Sequence, residues 1–408
     1  MRAGIIVIGK GILEGKVSDS NSPYIAKRIS EIGIAPGRVA ILPDEKEVIE
    51  EEVKSQLAIF PIVFTAGGLG ATPDDLTREA LSAIFKKTLL LDEMTLKKVE
   101  RFYKEKGLPV PESATKQALY LQGALLLENP VGISPGMIIR DGERTLIALP
   151  GVPEELQKIF ETGVLPFLLT TLPTKPLFAV WIRTTGITEA EIMERLAHPK
   201  RKFKSCTLEY FPSLAGVDIR ITTDKDEGLL SEWKEEIITR LSPYVYALGN
   251  IPLEEKVGEL LRKRELKLVV AESCTGGLLG HRITNSPGSS DYFLGGVIAY
   301  ANEIKKSALG VKEETLKRYG AVSREVALEM AKGVRERFGA GIGLGVTGIA
   351  GPTGGSAQKP VGLVYIGLAT INRTICKEFH FSGNRRMIKE QAAQSALDLL
   401  RRYLEGYD

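Results

Sequence analysis

Short apolar runs alternate with amphipathic stretches from the first residues onward. AGIIVIG (3–9) predicts a strand, and SPYIAKRISEIG (22–33) predicts a helix closed by Gly33. RVAILP (38–43) predicts a strand, EKEVIEEEVKSQLA (45–58) a helix, and PIVFTAGG (61–68) a strand running into a glycine turn. DDLTREALSAIF (74–85) opens the next helix, and RTLIALPGVPEELQKIF (144–160) repeats strand, turn and helix. Alternating β and α elements with apolar strands predict a mainly parallel sheet covered on both faces.

The pattern breaks at LPFLLTTLPTKPLF (165–178), where Pro166, Pro173 and Pro176 mark a boundary. Strand-like FAVWIRTTG, helical TEAEIMERLA, strand-like GVDIRITTD, helical SEWKEEIITRL and strand-like YVYAL then predict a small α+β module. A second linker at Gly249-Asn250-Ile251-Pro252 leads to a further α/β stretch, which closes with the long amphipathic segment RMIKEQAAQSALDLLRRYLEG (386–406). The expected architecture is α/β: two α/β domains with mainly parallel sheets, 1–168 and 251–408, joined by a small α+β module at 169–250.

Composition narrows the class. Of 408 residues, 43% are hydrophobic and 26% charged, as in an ordinary globular protein. No apolar run approaches the roughly 20 residues needed to span a bilayer, and the first residues read as a strand rather than a signal peptide, so a cytoplasmic location is expected. Cys206, Cys274 and Cys376 are far apart and show neither disulfide nor zinc spacing. His198, His281 and His380 are the only histidines, which leaves few parts for zinc hydrolysis or a Ser-His-Asp triad. With 54 Lys+Arg against 51 Asp+Glu, charge argues against nucleic acid as a partner.

Chemistry-bearing residues gather at predicted strand ends, where open α/β sheets collect ligands. LVVAESCTGG (268–277) ends an apolar strand at Ser273, before Cys274, Thr275, Gly276, Gly277 and a helix start. A hydroxyl there can attack a carbonyl, and the helix-start amides can hold the oxyanion. GGVIAYANEIK (295–305) offers Tyr300, Asn302 and Lys305. GLGVTGIAGPTGG (343–355) supplies Thr347, Gly348 and Gly351 on a glycine loop able to approach an anion. FSGNRR (381–386) places Arg385 in a first helical turn after the expected cap Asn384. Since histidine is scarce, a lysine with a depressed pKa is the expected base for a serine nucleophile, and Lys305 is the candidate. Each residue also has a structural reading: Ser273 as a helix cap, Cys274 as buried filler, Lys305 and Arg385 as solvated surface cations.

AESCTGG, YANEIK, VTGIAGP-x-GG, KPVG (359–362) and FSGNR together resemble the C-terminal amidohydrolase domain of the CinA (competence/damage-inducible) family. That resemblance implies a nicotinamide mononucleotide deamidase. Water, acting through a serine acyl-enzyme, would give nicotinate mononucleotide and ammonia without a cofactor. It makes Ser273 the nucleophile and Lys305 its base, with Tyr300 and Asn302 positioning lysine and substrate. Thr275, Gly276, Gly277, Thr347, Gly348 and Gly351 would contact substrate, and Arg385 its phosphate. The chain departs from the family pattern at Asn384, where Asp is usual, and at Thr353, a position often acidic.

In the first half, TAGGLGATPDDLT (65–77) puts Gly67, Gly68, Gly70 and Thr72 where glycines can cradle phosphate. Asp74 and Asp75 are able to hold a divalent cation or simply to cap the helix. GGLG-x-T-x-DD-x-T and LPGVPEE, with Pro150 and Gly151, resemble the molybdopterin-binding (MoCF-like) domain of CinA. In that family the domain is linked to ADP-ribose pyrophosphatase activity with a divalent metal, Mg²⁺ or Co²⁺. In the first loop, Gly9-Lys10-Gly11-Ile12-Leu13-Glu14-Gly15, Gly11 stands where the family carries a carboxylate, and Glu14 is displaced from it. The middle module is similar to the KH-like domain of CinA, but residues 171–250 contain no GxxG nucleic-acid clamp. PKRKFK (199–204) reads as a solvated loop, and the module as a spacer or dimer element, giving a homodimer. Two other classes stay open: a non-enzymatic accessory of DNA uptake or repair, and an N-terminal domain that binds molybdopterin or transfers adenylyl groups.

Overall fold

The computed structural model describes residues 1–172, 178–196 and 206–407, and the chain divides into two compact units, Met1–Leu177 and Phe178–Asp408. His198, Pro173, Pro176 and the PKRKFK segment fall outside the described residues.

The first unit is built on a six-stranded sheet. Its order is Ala35–Leu42, Arg2–Ile8, Ile62–Ala66, Arg144–Leu149, Gly136–Asp141, Leu125–Leu127. The first four strands are parallel and the last two antiparallel. Successive residues point to opposite faces, and both faces are covered. Ile5 and Phe64 pack with Ile25 and Ile29 of the helix Asn21–Glu31; Ile6 and Val63 pack with Ile49 and Val53 of the helix Lys46–Ile59. This two-sided burial explains the unbroken apolar strands.

The sheet is mainly parallel, as expected, with antiparallel pairing added at one edge. The reversal occurs at Asp141-Gly142, where Gly142 takes φ +60° and turns Gly136–Asp141 back along Arg144–Leu149. A helix, Glu93–Glu105, and a two-stranded ribbon, Leu89–Leu91 with Leu119–Leu121, were not expected from the apolar pattern. Pro166 sits in the first turn of the helix Leu165–Thr171, where a proline breaks nothing, and Leu168 of that helix is in the first unit's core.

The second unit holds two sheets. The smaller is antiparallel, ordered Thr207–Ser213, Gly216–Thr223, Phe178–Thr184, Val245–Leu248. The helix Glu227–Leu241 lays Trp233 and Ile237 on Ile182, Ile219 and Ile221. The larger sheet runs Phe293–Ile298, Leu268–Glu272, Ile342–Gly348, Leu363–Ala369, Thr374–His380. Its first three strands are parallel and its last two antiparallel, so it too is mixed. Val269 and Ala271 face the helix Arg324–Arg337, whereas Leu268 and Val270 face the helices Leu253–Lys263 and Arg385–Glu405. The strand Leu268–Glu272 lies between Phe293–Ile298 and Ile342–Gly348, which follow it in sequence on opposite sides, so its carboxyl end opens at the point where the strand order reverses.

No helix among the described residues is long and apolar enough to cross a membrane.

Candidate functional site

Ser273 immediately follows the strand Leu268–Glu272, and its N–H bonds Val346 O on the neighbouring strand (2.9 Å). Lys305 arrives from the helix Asn302–Leu309 and is 1% exposed. Its Nζ lies 3.1 Å from Ser273 Oγ, 2.8 Å from Ala299 O and 3.0 Å from Tyr300 O. Burial lowers the Lys305 pKa below that of an ordinary lysine, and no carboxylate pairs with it among the described residues. The geometry serves both charge states. An ammonium has three N–H groups for three acceptors; a neutral amine gives two to the carbonyls and aims its lone pair at the serine hydroxyl.

Glu272 was not singled out from the sequence. It is 2% exposed, and its carboxylate accepts the N–H groups of Gly277 (2.9 Å), Leu279 (3.1 Å) and Gly280 (2.8 Å). The signal was a charged residue ending a strand whose other positions are all apolar. This changes the expected oxyanion site. The helix-start amides are already bonded to Glu272, Leu278 N–H bonds Thr275 O (3.3 Å), and Gly276 N–H bonds Ser273 O (3.2 Å). The N–H groups of Cys274 and Thr275 point at the Cys274 sulfur rather than at another main-chain group among the described residues. Burial pushes the Cys274 thiol up to about 12, which suits a packed side chain rather than a nucleophilic thiolate.

The remaining predicted residues surround this pair unevenly. Gly276 and Gly277 take φ +60° and +95°, a turn that side chains resist. The Thr275 hydroxyl is buried without a partner among the described residues. Thr347 is also buried, but its hydroxyl donates to Ala321 O (2.7 Å). Gly348 ends its strand, and Gly351 is buried in the loop beyond. Asn302 is exposed at the first position of its helix and, among the described residues, makes no side-chain hydrogen bond to Ser273 or Lys305. Tyr300 supplies its carbonyl to Lys305, while its 61%-exposed side chain meets Arg385 instead. Asn384 caps the last helix by accepting Met387 N–H (3.0 Å). Arg385 donates to Gly351 O (2.8 Å) and Tyr300 Oη (3.0 Å), strapping the glycine loop to the segment that follows the strand Phe293–Ile298.

In the first unit, the loops after Arg2–Ile8, Ile62–Ala66 and Arg144–Leu149 come together at adjacent strand ends. Gly67 (φ +112°) and Gly68 (φ +68°) are buried, and a Cβ on Gly67 would lie 2.1 Å from Ile8 O. Gly67 N–H already bonds Leu149 O (3.0 Å). The open part of this loop is thus Gly70 to Thr72 rather than the first two glycines. Pro150 is buried, and Gly151 O accepts from Asn21 Nδ2 (2.8 Å). Asp75 Oδ2 accepts from Thr72 N (2.8 Å) and Thr72 Oγ1 (2.5 Å), and Asp74 is exposed on the turn. Glu14 pairs with Lys16 (2.5 Å) in the first loop. Arg78, fully buried, donates to the carbonyls of Leu69 (2.8 Å), Gly70 (3.4 Å), Gln117 (3.2 Å) and Leu119 (2.8 Å), which fixes the glycine loop from beneath. Burial lowers its guanidinium pKa to about 10.

Comparison with known families assigns the whole chain. The CinA C-terminal domain profile matches residues 250–404, the "Probable molybdopterin binding domain" profile residues 4–170, and the Damage-inducible protein CinA KH domain profile residues 181–247. A CinA-like protein of Kosmotoga olearia is 40% identical over 409 residues, covering 99% of each chain. A CinA-like protein of Dictyoglomus thermophilum is 38% identical over 409 residues, again covering 99% of each. The chain belongs to the CinA family. Among solved structures, the competence/damage inducible protein CihA from Agrobacterium tumefaciens is 38% identical, covering 38% of this chain and 97% of that one with a TM-score of 0.36. The Ser273–Lys305 pair and its glycine loops lie inside the segment matched as the CinA C-terminal domain, and Arg78 and its loop lie inside the molybdopterin-binding match.

Proposed function

We propose that this CinA-family chain is a nicotinamide-nucleotide amidohydrolase, converting nicotinamide mononucleotide and water to nicotinate mononucleotide and ammonia. One observation carries the reading: a buried lysine amine 3.1 Å from a serine hydroxyl at the reversal point of an α/β sheet. Neutral Lys305 takes the Ser273 proton as Oγ bonds to the carboxamide carbon, and the Cys274 and Thr275 amides receive the oxyanion. Lys305 then passes that proton to the departing nitrogen, which leaves as ammonia. Water, deprotonated by the same amine, cleaves the acyl-serine and regenerates the hydroxyl.

The test is ammonia release from nicotinamide mononucleotide by the full chain; none from folded protein overturns the reading. The pH profile adds a sign. The base acts only when neutral, so kcat/KM is expected to rise with pH through the lowered Lys305 pKa. It should level off below the ~10.4 of a free lysine. A profile still rising through that value would remove Lys305 as the base.

A second reading concerns the first unit, because three loops converge where its strand order reverses. We propose that it binds a pyrophosphate ligand such as ADP-ribose. The residues do not fit a preassembled divalent-cation site. Asp75 is turned onto Thr72, and among the described residues no three His, Cys, Asp or Glu side chains are grouped to hold a metal. The expected result with ADP-ribose plus Mg²⁺ or Co²⁺ is therefore binding in calorimetry without phosphate-containing products. Turnover to AMP and ribose 5-phosphate would restore the pyrophosphatase expectation.

A further inference from the structure

We infer that Lys389, rather than Arg385, is the cation that selects a phosphorylated substrate. The inference rests on the deamidase reading for the identity of that substrate. Arg385 is engaged at both ends, with Gly351 O and Tyr300 Oη. Lys389 lies one helical turn further along Arg385–Glu405, on the same face. A Cβ placed on Gly276 would lie 3.5 Å from Lys389 Nζ. Gly276 N–H bonds Ser273 O, so the amine stands one tight turn from the nucleophile.

Lys389 is half-buried and makes no hydrogen bond or ion pair among the described residues. Arg282 and Arg401 of the same unit, by contrast, carry counter-charges, Glu254 and Asp398. Arg386 faces another way, lining a cavity of 380 Å³ with Leu214, Arg282 and Gln394. A half-buried ammonium without a counter-charge, beside a glycine turn with no side chain to block it, suits a mobile anionic group brought by the ligand. On a mononucleotide that group is the phosphomonoester. Arg385 instead is a positioning residue that fixes the glycine loop.

The experiment compares nicotinamide mononucleotide with nicotinamide riboside, which carries the same carboxamide but no phosphate. Lys389→Ala is expected to lower the kcat/KM ratio of nucleotide over riboside by about ten- to one-hundred-fold, the scale of a charge-assisted hydrogen bond. Lys389→Arg should recover most of it. A purely structural lysine would depress both substrates and leave the ratio alone, and that outcome overturns the inference. Calorimetry of the full chain with ribose 5-phosphate against ribose keeps the two readings separable. If neither carboxamide is hydrolysed, the deamidase reading falls. Lys389 is then judged by phosphate binding: a tenfold or greater loss in Lys389→Ala upholds it, whereas equal affinity, or no phosphate-dependent binding by the native chain, overturns it.

Discussion

Ser273→Ala is expected to lower ammonia release from nicotinamide mononucleotide by roughly 10³-fold or more, the scale seen when a nucleophile is removed from a covalent mechanism. Lys305→Met should fall to the same floor, because a hydroxyl without its base and a base without its hydroxyl are equally idle. The double variant should be no worse than either single one. Residues that act as a unit show this lack of additivity, whereas two independent contributors would multiply. Ser273 is 8% exposed, and losing one oxygen leaves the Lys305 amine with Ala299 O and Tyr300 O, so thermal melting of Ser273→Ala should match the native chain. Steady-state ammonia assays on the three variants check this. A double variant far slower than both singles would mean that Ser273 and Lys305 do not share one step.

The second large effect is on stability. Glu272→Ala strands three N–H groups, that of buried Leu279 and those of half-buried Gly277 and Gly280. Hydrogen bonds to a charged group contribute ~1.5–3 kcal/mol each, so the loss should be about 3–5 kcal/mol after local relaxation. In a unit of this size that lowers Tm by roughly 10 °C. Glu272→Gln separates charge from geometry. Its amide oxygen can still accept from Gly277 and Leu279, but its NH₂ then faces the Gly280 N–H, so the loss should be partial. Activity should fall with both, since the turn that Glu272 pins also aims Ser273. Calorimetric melting of the two variants decides it. A Glu272→Ala chain as stable as the native one would show that these amides find other acceptors.

The sheets were legible because apolar strands and amphipathic helices keep different periods, and both α/β folds follow from that alternation. Strand direction at the sheet edges was less so. The Asp141-Gly142 turn carried a readable signal, but the three-residue strand Leu125–Leu127 is too short to show a period. At the site, Ser273 and Lys305 could be paired from sequence because Ser273 follows one strand, Lys305 lies in the helix after another, and histidine offers little competition. Glu272 shows no role in the sequence, since its partners are backbone amides that any sequence possesses. Lys389 was invisible for another reason. Within an amphipathic helix it looks like any polar position, and only the fold brings it to Gly276. Arg78 reads as a surface cation until the glycine loop and Gln117 close over it. Arg385 is the reverse case: the sequence offers it to a phosphate, while in the fold it donates to Gly351 O and Tyr300 Oη.

Two of the three groups that hold the Lys305 amine are main-chain carbonyls, at Ala299 and Tyr300. A point mutation cannot delete a carbonyl. Side chains at these two positions are therefore free to drift over evolutionary time while the base keeps its aim, and only a change in the path of the chain would silence it.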